Sequence, residues 1–415
     1  MALLADPSFS IRPPYLHCGQ GQTVRLDDLI GVSATDGLLT LHAAPRPDAE
    51  GGCCGSDTQR RLRSLCVRFD GAAEAERAVD DVSRAAGLPR RGSRRLLVLI
   101  NPRSGEQQGV AAWEEVSDFF RASGAILDVV TTSAAGEAQQ RAFNVDLTST
   151  DAIICVSGDG LIHEVVNGLM TRPDAGAAMA SLSLGVIPAG TGNSLSCSIL
   201  KAAGESLHAT SSAYLVCRGA TTTLDLWRVE QEGEGGKSGY AFLSLEWALA
   251  SDIDIGSEAW RCLGPLRFDL YALWRLIIGW RYTGGLRFRK PGAREWHEVG
   301  GVFLMVWACN IPWLSSDVQM APLARLHDGC ADLVIVQRAS RAELLDAFVN
   351  GKVEQGTHIH EDWCRYEKVE AFELAPDPRT ARQPGFVAID GELWPFAKTR
   401  CEASPVKLML LGVGG

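Results

Sequence analysis

The chain has 415 residues, a formal net charge of -10, and hydrophobic and charged fractions of 46% and 22%. That length exceeds a single hydrophobic core and predicts two or three domains, and the composition excludes a fibrous or wholly disordered protein. The acidic balance excludes a dedicated nucleic-acid binder, which would carry a basic domain or stripe, but leaves room for a local basic patch against a membrane.

Twelve cysteines are scattered, with only Cys53 and Cys54 adjacent. That spacing predicts reduced thiols rather than a zinc site or a disulfide framework. No apolar run reaches the roughly 18 residues of a spanning helix. The opening residues lack a basic leader, and no Asn-X-Ser/Thr site occurs. A cytoplasmic location with peripheral contact on membranes is expected.

Residues 1–93 read as a small module. Short β-like pieces (Phe9 to Arg12, Leu26 to Ala34, Leu38 to His42, Ser64 to Phe69) are broken by Pro, Gly and Asp, and Ala72 to Ala86 is an amphipathic helix. Strands closed by one C-terminal helix predict a PH-like barrel, with Pro45 to Gln59 as a loop. The linker Gly87 to Arg95 holds four arginines, either solvated or touching phosphate or anionic lipid.

Residues 94–218 follow a different grammar, strand, glycine turn, helix. Leu96 to Ile100 runs into Asn101-Pro-Arg-Ser-Gly105, and Val110 to Ala122 is helical; Ile126 to Val130 meets Thr131-Thr132 and a helix from Ala134 to Phe143. The apolar run Ile153 to Val156 ends in Ser157-Gly-Asp-Gly160 and a helix, and Leu184 to Ile187 leads into Pro188-Ala-Gly-Thr-Gly-Asn193. Four such strands predict an α/β nucleotide domain with a parallel sheet. The pattern becomes mixed near Ala213 to Arg218.

Residues 219–415 read mainly as β: Thr222 to Val229, Tyr240 to Glu246, Gly284 to Phe288, Gly300 to Cys309, Ala331 to Gln337, Val369 to Leu374, Phe386 to Ile389 and Val406 to Leu411, with a helix over Arg341 to Asn350. A mainly antiparallel β-sandwich is expected as the second lobe.

Three glycine-rich strand ends on one sheet edge form an anion-binding surface suited to a polyphosphate. None is a Walker loop or a Gly-x-Gly-x-x-Gly fingerprint. Asp159 sits in one of these turns, where a carboxylate can accept the proton of an attacking hydroxyl or hold magnesium against a nucleotide.

Together, Asn101-Pro-Arg-Ser-Gly105, the stretch Ser157 to Leu169, Pro188 to Asn193 and Asp390-Gly-Glu392 resemble the diacylglycerol kinase catalytic superfamily. The segment from Ala250 to Phe268 resembles the lipid-facing segment of sphingosine kinases, the long-chain base kinases, within it. The likeness spans about residues 94 to 413. It implies transfer of phosphate from ATP with Mg2+ to the primary hydroxyl of a sphingoid long-chain base. By the same resemblance Asp159 is the catalytic acid/base, with Ser157, Gly158 and Gly160 lining the acceptor side. Asn101, Pro102, Arg103, Thr132, Glu164, Gly190, Thr191 and Gly192 shape the ATP pocket. Arg261 and Arg267 reach ATP, Asp390, Gly391 and Glu392 return to it, and Asp254 recognises the sphingoid head group. The metal ligands stay unassigned, as does the oligomeric state. The front module resembles the PH-like front end of plant-type long-chain base kinases and ceramide kinases.

The chemistry of the acceptor agrees with that carry-over. A sphingoid base carries a cationic amine beside hydroxyls and calls for a carboxylate, while ATP calls for arginines. Read without the family, Asp252, Asp254 and Glu258 could equally form a solvated acidic loop. The apolar stretch Leu270 to Trp280 is either the wall or gate of an alkyl-chain pocket or a plain core helix. His163 is expected to be structural, and His358 and His360 lack the further ligands of a metal site. One departure stands out: Glu106-Gln107-Gln108 follows the phosphate loop where the family carries lysines, leaving more to Arg103 and backbone amides. The alternatives are a ceramide or diacylglycerol kinase on the same fold, an inactive lipid-binding scaffold, and an NAD-kinase-like enzyme with a soluble acceptor.

Overall fold

The structure is a computed structural model that describes residues 2–4, 9–18, 21–47, 59–89, 92–105, 107–233, 235–257, 259–260, 270–275, 281–377 and 385–412. Four parallel strands, in the spatial order Ile126–Thr131, Arg95–Ile100, Ala152–Ser157, Ser183–Pro188, make the nucleotide lobe. Ala152–Ser157 is buried along its whole length, as an unbroken apolar run in a parallel sheet requires. The strand order reverses between Arg95–Ile100 and Ala152–Ser157, and in such sheets ligands bind beyond the strand ends at that reversal. Register fixes the same edge. Val156 lies opposite both Ile100 and Ile187, so the three glycine loops leave the sheet side by side.

Thr399–Leu411 carries the sheet into the second lobe. Its end pairs parallel with Ser183–Pro188 through Met409 and Leu410, while its other neighbours, Thr221–Gln231 and Ala371–Pro376, are antiparallel. The result is one ten-stranded sheet running through both lobes. The expected border at residue 218 falls just after the helix Ala209–Arg218, which occupies the stretch read as mixed.

A six-stranded antiparallel sheet faces the ten-stranded one, in the order Cys364–Val369, Ala331–Val336, Met305–Cys309, Ser244–Ala248, Val387–Ile389, Glu392–Trp394. Between the sheets lies an aromatic core of Trp247, Tyr282, Phe288, Phe303 and Phe372. Three runs read as single strands are each two. Tyr240 to Glu246 divides into Ser238–Ala241 and Ser244–Ala248, Gly300 to Cys309 into Trp296–Phe303 and Met305–Cys309, and Val369 to Leu374 across Cys364–Val369 and Ala371–Pro376. In every case the two halves belong to different sheets. Such corner strands stay apolar through the bend, so periodicity alone does not register it.

The N-terminal module consists of a four-stranded and a three-stranded sheet, closed by the helix Ala72–Ala86 over Leu29, Leu39, Leu41 and Val67. Arg60, its side chain only 3% exposed, holds the module on the nucleotide lobe. Its guanidinium donates to Glu205 Oε2 at 2.8 Å and lies 3.6 Å from the centre of the Tyr214 ring. Tyr214 Oη in turn donates to the Asp27 carbonyl at 2.7 Å.

Candidate active site between the lobes

The helix Asp159–Met170 begins directly at the end of Ala152–Ser157, and Asp159 is its first residue. The half-buried carboxylate accepts from the backbone N–H of Ser194 at 2.7 Å and of Leu195 at 3.3 Å, so it also caps the helix Ser194–Ala202. Burial pushes the Asp159 carboxyl up, the two amides pull it down and Asp390 adds a further upward push; the net direction is up. A carboxyl with a raised pKa, fixed by two amides at a strand end, has the properties of a general base.

The loops around it interlock through backbone. Ser104 Oγ accepts from Gly158 N at 2.8 Å. A Cβ added to Gly190 would lie 2.4 Å from Gly158 Cα, and one added to Gly158 would lie 2.9 Å from Gly192 O. These glycines therefore serve first to let two loops touch, which sharpens the expectation that they open the backbone to a ligand. Asn193 ties its own turn, accepting from Gly190 N at 2.9 Å. Thr191 and Gly192 are exposed at the tip.

In the first loop Asn101 Oδ1 accepts from Arg103 N at 3.0 Å, and Pro102 lies between them. Arg103 is exposed, and its guanidinium makes no ion pair among the described residues. Thr132 is buried, donating through Oγ1 to the Ile100 carbonyl at 3.2 Å. Glu164 Oε2 accepts from Ala138 N at 3.2 Å, at the start of the helix Glu137–Phe143.

The second lobe contributes the hairpin turn Asp390-Gly391. Both residues have positive φ, 51° and 79°, the geometry of a tight two-residue turn between Val387–Ile389 and Glu392–Trp394. Asp390 turns inward. Its carboxylate accepts from Phe242, Leu243 and Ser244 N–H groups, and Oδ2 lies 2.9 Å from His163 Nδ1. His163 is thus a structural tie between lobes, as expected. Burial alone would lower its pKa, but the Asp390 carboxylate outweighs that and raises it. Glu392, by contrast, faces the start of the Asp159 helix, its Oε1 3.3 Å from where a Gly160 Cβ would stand.

Asp254 approaches the same turn, with Oδ2 3.6 Å from a Cβ placed on Gly391. It lies on the helix Leu249–Gly256, not in a solvated loop. That helix is anchored by a feature the sequence reading missed: buried Asp252 pairs with Arg275 and with Tyr282 Oη, and Arg275 donates to Tyr282 Oη at 2.7 Å. Arg275 therefore points inward, while Leu270, Leu273 and Trp274 are exposed. For residues 270–275 this excludes a plain core helix.

The structure thus brings together the three glycine loops, Asp159, Glu392 and Asp254. Arg261, Arg267, Glu258 and residues 276–280 lie outside the described residues. Among the described residues no group of three or more His, Cys, Asp or Glu is arranged to hold a metal ion. No helix among them is long and apolar enough to cross a membrane.

Residues 95–229 match the diacylglycerol kinase catalytic domain, and residues 261–412 match the YegS C-terminal NAD kinase beta sandwich-like domain. Sphingosine kinase 1 of Arabidopsis thaliana is 32% identical over 337 residues, covering 72% of this chain and 68% of its own. Sphingoid long chain base kinase 4 of Schizosaccharomyces pombe is 30% identical, covering 75% and 74%; sphingosine kinase 1 of Homo sapiens is 30% identical, covering 72% and 86%. In fold, a putative diacylglycerol kinase from Bacillus anthracis superposes with a TM-score of 0.60 at 17% identity, over 78% of this chain and 97% of that one. With the two domain matches in that order and these relatives, the chain belongs to the sphingosine kinase family and is a lipid kinase.

Proposed function

We propose that the chain transfers the γ-phosphoryl group of ATP to the primary hydroxyl of a sphingoid long-chain base. The observation that carries this reading is the placement of two carboxylates from different lobes around one turn: Asp159 at the sheet edge, and Asp254 beside Gly391. Asp159 accepts the proton of the acceptor hydroxyl as that oxygen attacks in line. Asp254 pairs with the acceptor's ammonium and so fixes which hydroxyl faces Asp159.

The glycine-loop amides and the free Arg103 guanidinium fit a polyphosphate, with Asn101, Pro102, Thr132, Glu164 and the Gly190-Thr-Gly192 turn setting the loop's shape. Arg261, Arg267 and Glu392 complete the ATP side in this reading, with Asp390 and Gly391 forming the turn that presents Glu392. Glu392 is the carboxylate we assign to hold a magnesium ion, which would neutralise charge on the transferring group. The exposed Leu270, Leu273 and Trp274, clustered with Tyr271 and Trp260, face outward where an acyl chain or a membrane surface would be met. Peripheral contact with membranes, and residues 219–415 as the lipid-binding domain behind a catalytic domain at 94–218, belong to the same proposal.

The test is Asp159→Asn, which keeps one acceptor oxygen, for the Ser194 amide, but cannot take a proton. Phosphoryl transfer is expected to fall by about 10²–10⁴-fold with nucleotide affinity kept. A variant with near-normal turnover would remove the assigned role.

A further inference from the structure

Asp252, Arg275 and Tyr282 take no part in the chemistry proposed above, yet Asp252 stands two residues from Asp254. The three are buried, at 2%, 4% and 1% exposed. They come from three elements: Asp252 from the helix Leu249–Gly256, Arg275 from the end of the helical residues 270–275, and Tyr282 from the start of the strand Tyr282–Arg289. Arg275 and Tyr282 Oη both donate to the Asp252 carboxylate, and Arg275 also donates to Tyr282 Oη at 2.7 Å.

A second contact joins the same two helices one turn away. A Cβ on Gly256 would lie 2.3 Å from Tyr271 Oη, so the glycine lets the Tyr271 side chain lie against the end of the helix that carries Asp254. Positions 252 and 256 share one helix face, as do 271 and 275. Asp252 therefore meets Arg275 while Gly256 meets Tyr271, and the helices run side by side in opposite directions. Leu270, Leu273 and Trp274 share another face of residues 270–275, and that face is exposed.

Local preference does not hold the Asp254 helix where it stands. Ala248, which leads into it, has φ 71° and ψ -130°, a conformation that strains any residue with a Cβ. A buried ion pair adds a desolvation cost that apolar side chains of similar volume would avoid. What the arrangement supplies is a definite placement. The helix is fixed at its start by Ser251 Oγ, which donates to the Phe386 carbonyl at 2.7 Å, and along its length by the Arg275 and Tyr271 contacts.

We infer that Asp252, Arg275 and Tyr282 are positioning residues that couple contact of Leu270, Leu273 and Trp274 with a lipid surface to the placement of Asp254. This inference rests on the reading of Asp254 as the carboxylate for the acceptor's amine. Two contacts one turn apart clamp the helices into one body, so a shift of the exposed helix on a surface carries the Asp254 helix with it. Affinity for the acceptor then depends on the surface that presents it, and the buried tie transmits that dependence.

The experiment uses the full chain, labelled ATP and one short-chain free base, offered as monomers in water and in phosphatidylcholine vesicles. The wild type is expected to show a lower KM for the base in vesicles. Asp252→Asn keeps the shape of the side chain and removes its charge; it is expected to lose that gain by about tenfold, with kcat, the KM for ATP and co-sedimentation with vesicles little changed. Leu273→Ser is expected to lose the gain as well, and the double variant to lose no more than either alone, because both act through one link. Tyr282→Phe, which deletes only the shared hydroxyl, is expected to move KM in the same direction and serves if Asp252→Asn does not fold. A wild type without the vesicle gain, variants that keep it, or additive losses in the double variant overturn the inference while the base-kinase reading stands. A wild type that phosphorylates no free base removes both.

Discussion

Asp159 was legible as a chemical group because an aspartate between glycines at the end of a buried strand has few structural reasons to be there. Its partners were not legible, since the Ser194 and Leu195 amides arrive from 35 and 36 residues away. Asp390 shows the converse. A motif placed it near the nucleotide, whereas its carboxylate is spent on three backbone amides and His163; of that turn, Glu392 is the side chain that faces the Asp159 helix. The His163–Asp390 contact carries a pH dependence whose sign follows from the raised histidine pKa. A histidine whose pKa is higher folded than unfolded adds stability below its ordinary value of 6.5, and that addition disappears as pH rises through the raised value. Urea titrations at pH 5.5 and pH 8.5 are expected to show about 1 kcal/mol of such pH-dependent stability in the wild type, absent from His163→Gln. Identical pH dependence in the two proteins would contradict the assignment.

At the scale of elements, the parallel strands and the Ala72–Ala86 helix followed from periodicity and turn residues within a residue or two. The corner strands did not, because a bend at Phe242-Leu243, Leu304 or Glu370 changes which sheet a strand joins without changing its hydrophobic pattern. Glycine placement was legible, though its cause was only half so. Gly158 and Gly190 allow backbone to meet backbone, and a Cβ on Gly190 has nothing flexible to push aside. Gly190→Ala is therefore expected to force the two phosphate loops apart, lowering nucleotide affinity and costing about 1–3 kcal/mol of stability. Gly176→Ala, in a helix with open space around its Cβ, serves as the comparison and is expected to be neutral or slightly stabilising. Nucleotide titration and urea midpoints read both; equal behaviour of the two variants would show that loop contact does not set the site.

For the whole molecule, the sequence separates a nucleotide lobe from a β lobe, and the structure joins them by a shared sheet. Thr399–Leu411 is the reason. Its residues read as an ordinary strand, and nothing local says that they pair with Ser183–Pro188 more than 200 positions earlier. That return brings Glu392 of the Asp390 hairpin to the start of the Asp159 helix, with Asp254 against Gly391 of the same hairpin, although 95 residues separate Asp254 from Asp159. The same geometry explains why Asp254 reads as part of a solvated loop in isolation, whereas in the fold it lies on a helix beside the Asp390 hairpin. The N-terminal module is docked on the far part of the nucleotide lobe through Arg60 and Glu205, away from the residues assigned to chemistry.

The central claim is that this cleft phosphorylates a lipid with a cationic head group. The most direct measurement is transfer of label from ATP, by the purified chain, to a panel of sphingosine, phytosphingosine, ceramide and diacylglycerol presented identically. The free bases are expected to be phosphorylated on the primary hydroxyl, and Asp254→Ala to lose much of that preference. Turnover confined to ceramide or diacylglycerol, or no lipid-dependent turnover at all, would contradict it.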